Sequence, residues 1–130
     1  METELRPAAP EIDLEIVKAF HLMWDIFPSP SALLRKDRTV VACNPAAAAI
    51  GYKVGDRCFQ SFGDKSVHKH CRANEALRDG LPQRAPVYNS VHNRVNDSYW
   101  LPLAGRNDLF VHTVINITDF AKPDLFQLES

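Results

Sequence analysis

Four side chains in the middle of the sequence could bind a metal, namely Cys58, His68, His70 and Cys71. Thiolate and imidazole groups are usual protein ligands of zinc and of iron–sulfur clusters. His68 and Cys71 are three residues apart, so on a helix they would share one face. With Cys58 they supply three ligands, whereas a closed zinc site has four, and His70 or Cys43 could be the fourth. The alternative is that the cysteines are reduced thiols, buried as small hydrophobic side chains.

Catalysis by the same groups has little support in the rest of the sequence. A cysteine beside a histidine could act as a thiolate nucleophile with its base, but nothing marks an oxyanion hole. The chain has five glycines, and they are not clustered as in a phosphate-binding loop. No pair of carboxylates stands out at helical spacing. The sequence therefore predicts a protein that is not an enzyme.

Two polar residues lie on the apolar side of a predicted helix that runs from Ser66 to Asp79 and ends at Gly80. The helical periodicity places the following residues on one side: Val67, His70, Cys71, Ala73, Asn74 and Leu77. His70 and Asn74 lie near the centre of that side, and an unpaired buried polar group costs roughly 1–3 kcal/mol. A pocket that holds water or a polar ligand would provide their partners. The alternative for His70 is a histidine satisfied within the core.

The last predicted strand, residues 109–117, has two different faces. Alternate side chains of a strand point to opposite sides of a sheet. One face carries Phe110, His112, Val114 and Asn116, and the other is apolar or β-branched. We expect the mixed face to point toward the helices, so that His112 and Asn116 line a pocket. The alternative is that this face is solvated or lies under the N-terminal helix.

An amphipathic helix is predicted at residues 11–27, after a loose arm at residues 1–10. Large apolar side chains recur along it at helical spacing, so one continuous stripe needs to be covered. The cover is either the protein's own sheet or a second copy of the chain. For the second case, the predicted dimer interface consists of Ile16, Phe20, Met23, Trp24 and Phe27.

The other segments predict five strands and short helices. Asn44 is a typical N-cap, Pro45 suits the first helical position, and Gly51 ends that helix. Residues 54–62 predict a turn and a short helix. The predicted strands are 31–34, 39–42, 85–91, 98–103 and 109–117, with turns at 93–97 and 105–108. Short connections favour an antiparallel meander, so the fold class is α+β, with a five-stranded antiparallel sheet and helices on one face.

This order of elements resembles PAS domains, the small sensor modules of signalling proteins, over residues 20–120. The hairpin followed by an Asn-capped helix carries the likeness at one end. The run Asn-Ile-Thr-Asp at residues 116–119 loosely matches the tail of the family's last strand at the other end. The resemblance implies a sensor domain at residues 28–120, flanked by the helix at 11–27 and by a connector or tail at 121–130.

The resemblance also implies alternatives for a cofactor. Haem-binding members take an axial histidine from the helix that matches residues 66–79, which points to His70. A haem slot would be lined by Phe62, Leu77, Val91, Trp100 and Val114. Many bacterial members carry a cysteine followed by Cys-x-x-Cys, which Cys58 and the pair His68 and Cys71 match here, implying zinc or iron–sulfur. Flavin-binding members place an amide at the position of Asn116. We expect no tightly bound cofactor, with haem, zinc and iron–sulfur as the alternatives.

The sequence thus predicts a cytoplasmic PAS-type sensor that binds a small ligand or a partner. It would relay the signal to an effector, such as a histidine kinase of a two-component system or a transcription regulator, in cis or in trans. A homodimer is expected. The alternatives are a haem- or metal-bearing redox or gas sensor and a ligand-free dimerisation module. The predicted ligand-binding residues are Phe62, His70, Asn74, Leu77, Trp100, His112, Val114 and Asn116.

Size and charge agree with one globular domain. The chain has 130 residues and a formal charge of −1, from 15 basic and 16 acidic residues. No basic stripe indicates contact with nucleic acid. The apolar runs are shorter than the roughly 18 residues of a membrane span, so membrane binding is not expected either.

Overall fold

The computed structural model describes residues 13–62 and 65–127, except for the side chains of Ser61 and Phe62. The predicted arm at residues 1–10 lies outside the described residues. The helices are α1 (Leu14–Trp24), α2 (Pro45–Ala49) and α3 (Ala73–Asp79), and the short 3₁₀ helices are η1 (Cys58–Phe62), η2 (Thr118–Phe120) and η3 (Pro123–Gln127). The strands are β1 (Ser31–Arg35), β2 (Val40–Cys43), β3 (Gln83–Asn89), β4 (Arg94–Pro102) and β5 (Leu109–Asn116).

The five strands form one antiparallel sheet in the order β2-β1-β5-β4-β3. This confirms the predicted α+β fold class with a five-stranded antiparallel sheet. Strand β5 lies in the centre, between β1 and β4, so the first and last strands of the chain are neighbours in the sheet. Strand β3 is at an edge, where Pro86 can be accommodated because one side of the strand needs no hydrogen-bond partner.

Each face of the sheet has its own core, because alternate side chains of the central strands point in opposite directions. On β1, Leu34 faces α3 and Leu33 faces α1. On β5, Phe110 and Val111 divide in the same way. The helix-side core contains Ala32, Leu34, Val40, Ala47, Tyr52, Ala73, Ala76, Leu77, Ala85, Trp100 and Phe110. The outer core contains Phe20, Leu33, Val41, Ala42, Leu109 and Val111.

Helix α1 covers the chain's own sheet, so the predicted interface stripe needs correction. Phe20 is 3% exposed and packs with Leu33 and Val41 in the outer core. Ile16 and Trp24 pack against the same core. The apolar stripe is buried within one chain because β1 and β2 present apolar side chains to it. Of the five residues predicted at a dimer interface, Phe20 is therefore a core residue, and only Met23, at 65% exposed, is open to solvent.

Helix α3 is shorter than predicted, since it begins at Ala73 and not at Ser66. The preceding residues include Lys65, His68, Lys69, His70 and Arg72. Cationic side chains are unfavourable at a helix N-terminus, where the backbone dipole is positive, and no side chain caps the helix there. The predicted end is confirmed, because Gly80 adopts the left-handed conformation at φ 66°.

Asn44 caps α2 as predicted, and it also holds α1 against the sheet. Its side-chain oxygen accepts hydrogen bonds from the N–H groups of Ala47 and Ser31, at 2.9 and 3.0 Å. Its amide nitrogen donates to the backbone carbonyls of Trp24, Phe27 and Ser29, at 3.0 to 3.2 Å. Asn44 is 0% exposed, so one buried side chain links the end of α1 to the starts of β1 and α2.

The connection between β3 and β4 differs from the prediction. Strand β4 begins at Arg94, so most of the predicted turn at residues 93–97 is strand. The chain reverses just before it, with Asn93 at φ 52°, a conformation that asparagine tolerates better than most residues. Seven residue pairs join β3 to β4, and one of them sets Asp97 opposite Pro86. The buried carboxylate of Asp97 pairs with Arg84 and accepts a hydrogen bond from the Tyr99 hydroxyl.

The segment after β5 folds back onto β3 and β4. Thr118 accepts a hydrogen bond from the N–H group of Val95, and the ring of Phe126 contacts that of Tyr88 at 5.6 Å between centroids. In the described part of the chain, no helix is long and apolar enough to cross a membrane.

Candidate functional site

An aromatic pair on neighbouring strands lies under the helices. His112 stacks on Trp100, with ring centroids 5.0 Å apart and an interplanar angle of 17°, because the two residues are directly paired between β4 and β5. This confirms the prediction that the face of β5 carrying Phe110 and His112 points toward the helices. The nitrogen Nδ1 of His112 donates to the backbone carbonyl of Tyr99 at 2.9 Å, so Nε2 is the acceptor nitrogen of the neutral ring.

The imidazole of His112 is held in its neutral form. Burial lowers its pKa to about 4, and the charges of His68 and Arg38 lower it further against the opposing effect of the Tyr99 carbonyl. His112 is therefore a polar but uncharged group on an otherwise apolar wall at neutral pH. It can accept a hydrogen bond from a ligand without contributing charge.

Arg38 is a functional candidate that the sequence did not reveal. It lies in the β1–β2 turn, directly after three other charged residues, yet it is 3% exposed. Its Nη1 donates to the Lys36 carbonyl and to Oδ1 of Asn74 on α3, the latter at 3.3 Å. Its guanidinium carbon lies 5.8 Å from the centroid of the Phe110 ring. No sequence signal distinguishes Arg38 from its charged neighbours, because only the tertiary fold turns it inward.

Three cysteines border the helix-side core. Cys43, Cys58 and Cys71 are free thiols, each partly buried against it. Burial raises the pKa of the Tyr52 phenol well above its usual range, and all three cysteines add to this effect. Burial also raises the pKa of Cys58 to about 11, with a further contribution from Cys71 and an opposing one from Arg38. Cys58 is therefore a thiol at neutral pH and is a poor nucleophile.

The predicted metal ligands are not assembled. In residues 13–62 and 65–127, no group of three or more His, Cys, Asp and Glu side chains is placed to hold a metal ion. Cys58, His68 and Cys71 do not form the triad because residues 65–72 are not helical, so the three-residue spacing of His68 and Cys71 no longer aligns them on one face. His70 precedes α3 and is exposed, which does not match an axial haem ligand projecting from that helix.

The residues predicted to bind a ligand lie in different parts of the structure. Leu77 and Trp100 are buried in the helix-side core, beside His112. Asn74 is exposed at the edge of this core and reaches Arg38, whereas Val114 is half-buried farther along β5.

The remaining predicted residues do not join this cluster. Asn116 is exposed at the end of β5, where its side-chain oxygen accepts a hydrogen bond from the Thr118 N–H group at 3.0 Å. Val91, predicted to line a haem slot, is 84% exposed in the β3–β4 turn. The side chain of Phe62 lies outside the described residues. The site is thus built from Arg38, Asn74 and His112 around apolar residues.

Comparison with solved structures gives close matches of fold. The PAS domain of BvgS from Bordetella pertussis has a TM-score of 0.59 and 16% identity, over 87% of this chain and 93% of that chain. A domain of an HTR-like protein from Haloarcula marismortui has a TM-score of 0.56 and 20% identity, over 70% and 99%. A C-terminal domain from Streptococcus mutans has a TM-score of 0.53 and 18% identity, over 80% and 87%. No family model matches the sequence, and no curated protein matches it.

These matches define the class of the protein by its fold. The chain has the PAS fold, with the five-stranded antiparallel sheet, short helices on one face and a flanking helix on the other. The resemblance inferred from the order of sequence elements is confirmed at the level of the fold. At identities of 16–20% the likeness does not extend to a ligand or a partner.

Proposed function

We propose that this chain is a PAS-type sensor module that binds a small ligand between its sheet and α3. The observation that carries the proposal is that polar groups from three parts of the fold converge at the helix-side core. His112 comes from β5 and Arg38 from the β1–β2 turn, and Asn74 on α3 contacts Arg38 at the exposed edge. Small-molecule sites combine apolar walls with a few convergent polar groups. Trp100, Phe110 and Leu77 supply such walls here. Occupancy of the site would be relayed to an effector, such as a histidine kinase or a regulator, in cis or in trans.

The sheet offers a physical route for the relay. Leu34 faces the proposed site and its neighbour Leu33 faces α1, so a shift of β1 acts on both cores. Asn44 ties the end of α1 to the same strand through the Ser31 N–H group. A ligand transmits a signal only if it binds one packing arrangement more tightly than another. We propose that α1 or the segment after β5 changes its packing when the site is filled.

The test uses Trp100 as a reporter inside the site. The chain has two tryptophans, so Trp24→Phe leaves Trp100 as the single fluorophore. A panel of neutral and anionic small molecules is titrated into this variant, and fluorescence and the melting temperature are measured. A ligand is expected to give a saturable change in fluorescence and a rise in Tm, because it binds only the folded state.

Hydrogen exchange then tests both location and relay. A ligand in the proposed site is expected to slow exchange in α3, β4 and β5, and to change it in α1 or in the segment after β5. The turn at Lys53 and Val54 serves as the internal control, because it is exposed and belongs to none of these elements. Absence of any saturable response across the panel would contradict ligand sensing, and an unchanged α1 and tail would contradict the relay.

A second function is favoured by the outer side of α1. Four large apolar side chains on or just after this helix are open to solvent: Leu14 (68% exposed), Leu22 (84%), Met23 (65%) and Ile26 (91%). Leu22 and Met23 lie in the last turn of α1 and Ile26 follows it directly, so they form an exposed apolar stripe at the end of the helix. We propose that the chain forms a homodimer through this stripe.

Light scattering during gel filtration tests the dimer. Ile26→Asp is expected to convert the dimer to a monomer, because it places a charge in the apolar contact. Val91→Asp is the matched control, since Val91 is 84% exposed on the distant β3–β4 turn. A wild-type chain that remains monomeric at high micromolar concentration, or an Ile26→Asp variant that remains dimeric, would contradict this interface.

A further inference from the structure

Arg38 is a buried cation for which the described residues offer no anionic partner. Its residue is 3% exposed, and its Nε is buried without a hydrogen-bond partner. None of the ion pairs among the described residues involves it. The groups that contact Nη1, the Lys36 carbonyl and the Asn74 amide, are uncharged. An arginine does not lose its proton in proteins, so the positive charge stays in the interior.

The position of this charge is unusual for a turn. Arg38 has φ 77°, in the left-handed region that favours glycine. A glycine at this position would not bring a charge into the core. The backbone is secured on both sides, because the Arg38 N–H group donates to the Arg35 carbonyl at 2.8 Å and its own carbonyl accepts from the Cys58 N–H group at 3.0 Å. The side chain reaches Asn74 of α3 and is buried, unlike that of a solvated turn residue.

The surroundings of the guanidinium are apolar or neutral. The face of Phe110 lies 5.8 Å from its central carbon, which gives a cation–π contact but no neutralising charge. The charge of Arg38 lowers the pKa of both Cys58 and His112, so these groups lie within its electrostatic range. Both are uncharged at neutral pH. A positive centre therefore lies beside Phe110, whose core also contains the Trp100 ring stacked on His112.

Burying an uncompensated charge is costly, and proteins normally place a carboxylate beside it. Here an anion from outside the chain can supply that partner. The unpartnered Nε belongs to the fork with which an arginine binds a carboxylate through two parallel hydrogen bonds. One guanidinium matches one negative charge, so a monoanion is favoured over a phosphate, which carries more charge than the site can balance. The apolar wall favours a ligand with a hydrocarbon body.

We infer that Arg38 anchors a small organic monocarboxylate between the sheet and α3. Its Nε fork would bind the carboxylate, and the apolar body of the ligand would lie against the Phe110 and Trp100 side of the core. Asn74, exposed at the edge of α3 and bonded to Arg38, is the group that holds the guanidinium in place at the entrance. This inference rests on the proposed ligand-binding function and names the chemical class of the ligand.

The experiment compares acids with their neutral amides in the Trp24→Phe background. Butyrate and benzoate are titrated beside butyramide and benzamide, with inorganic phosphate as a further probe, and Trp100 fluorescence and Tm are recorded. The acids are expected to bind at least tenfold more tightly than the amides and than phosphate. Arg38→Met is expected to remove this preference, with at least a tenfold loss of acid affinity.

Arg78→Met is the matched control, because it removes one positive charge from an exposed side chain on α3. It is expected to bind the acids as the parent does. A second measurement keeps the inference falsifiable if Arg38→Met alters folding. In buffer without carboxylates, Arg38→Met is expected to unfold at a higher urea concentration than the parent, since an unpaired buried charge is removed.

The outcomes separate this inference from the proposed function. Binding of amides or phosphate at least as tight as that of the acids overturns the carboxylate site but leaves ligand sensing in place. Unchanged acid binding in Arg38→Met, or a variant that unfolds earlier than the parent in carboxylate-free buffer, also overturns the role of Arg38. No binding of any acid, amide or phosphate overturns the carboxylate site, whereas failure of the wider panel contradicts ligand sensing itself.

Discussion

Among single residues, His112 makes the stability of the fold depend on pH. Its pKa in the folded chain is about 4, compared with an ordinary value of 6.5, chiefly because the ring is buried. Between these values the unfolded chain binds a proton that the folded chain rejects, so stability falls as pH decreases through this window. Well above pH 6.5 both states carry a neutral ring, and this contribution is constant.

We expect the wild-type chain to lose about 2 kcal/mol more unfolding free energy between pH 7 and pH 5 than His112→Gln. Glutamine keeps a donor for the Tyr99 carbonyl but cannot titrate. Urea unfolding at both pH values measures the difference. His92→Gln is the control, because His92 is exposed in the β3–β4 turn. Equal losses in the wild type and in His112→Gln would show that the ring is protonated in the folded state.

Asn44 shows how much one buried amide can hold together. Removing it leaves carbonyls of Trp24, Phe27 and Ser29 without this donor in the interior. We expect Asn44→Ala to lower the unfolding free energy by about 3 kcal/mol, since several buried groups lose partners at once. Asn44→Asp should cost at least as much, because it replaces the donor with a charge beside carbonyl oxygens.

The control for Asn44 is Asn107→Ala, in an exposed turn, which should change stability by less than about 0.5 kcal/mol. Chemical unfolding of the variants measures the effect. A loss for Asn44→Ala no larger than that of Asn107→Ala would mean that the cap and the tie to α1 carry no net energy.

The cap itself was predictable because it depends on neighbouring residues, whereas the tie to α1 depends on tertiary packing. Arg38 was missed for the same reason, since its local sequence is that of a solvated turn.

Among the elements, α1 illustrates a limit of amphipathic patterns. The stripe predicted that the helix would be covered, but not by what. The structure places Phe20 between Leu33 and Val41 of the same chain and leaves Leu22 exposed. The start of α3 was misplaced because helical periodicity extends through Ser66 while the basic residues after it oppose a helix N-terminus. The ends at Gly51 and Gly80 were predictable, because a left-handed glycine is a local signal.

We expect Phe20→Ala to lower the unfolding free energy by about 3 kcal/mol, through lost apolar burial and the cavity left behind. Lys18→Ala is the matched control, because Lys18 lies on the same helix and is exposed; its effect should stay within about 0.5 kcal/mol. Urea denaturation under dilute conditions measures both. Similar small effects of the two substitutions would indicate that α1 does not stabilise the sheet.

In the whole molecule, the two cores share the same strands. The hydrogen-bonded order of the sheet places β1 and β5 side by side, and each strand contributes side chains to both faces. The sequence indicated the meander of β3, β4 and β5 through their short turns, and the antiparallel α+β class with it. The burial of Arg38 beneath α3 could not be predicted in this way, because it requires β1, β2, η1 and α3 to be in place together.

Shared strands lead to the expectation that the two cores unfold in one transition. Trp24 reports on the outer core and Trp100 on the helix-side core, so Trp24→Phe and Trp100→Phe each leave one local probe. In each variant, the urea midpoint from fluorescence should coincide with that from far-ultraviolet circular dichroism, which follows the whole backbone. Loss of either core removes partners from Leu33 or Leu34, and thereby weakens the strand on which the other core depends. If the Trp24 signal were instead lost at lower urea than the backbone signal, α1 would unfold separately. A relay from the site to α1 through β1 would then lack the mechanical continuity that the shared strand provides.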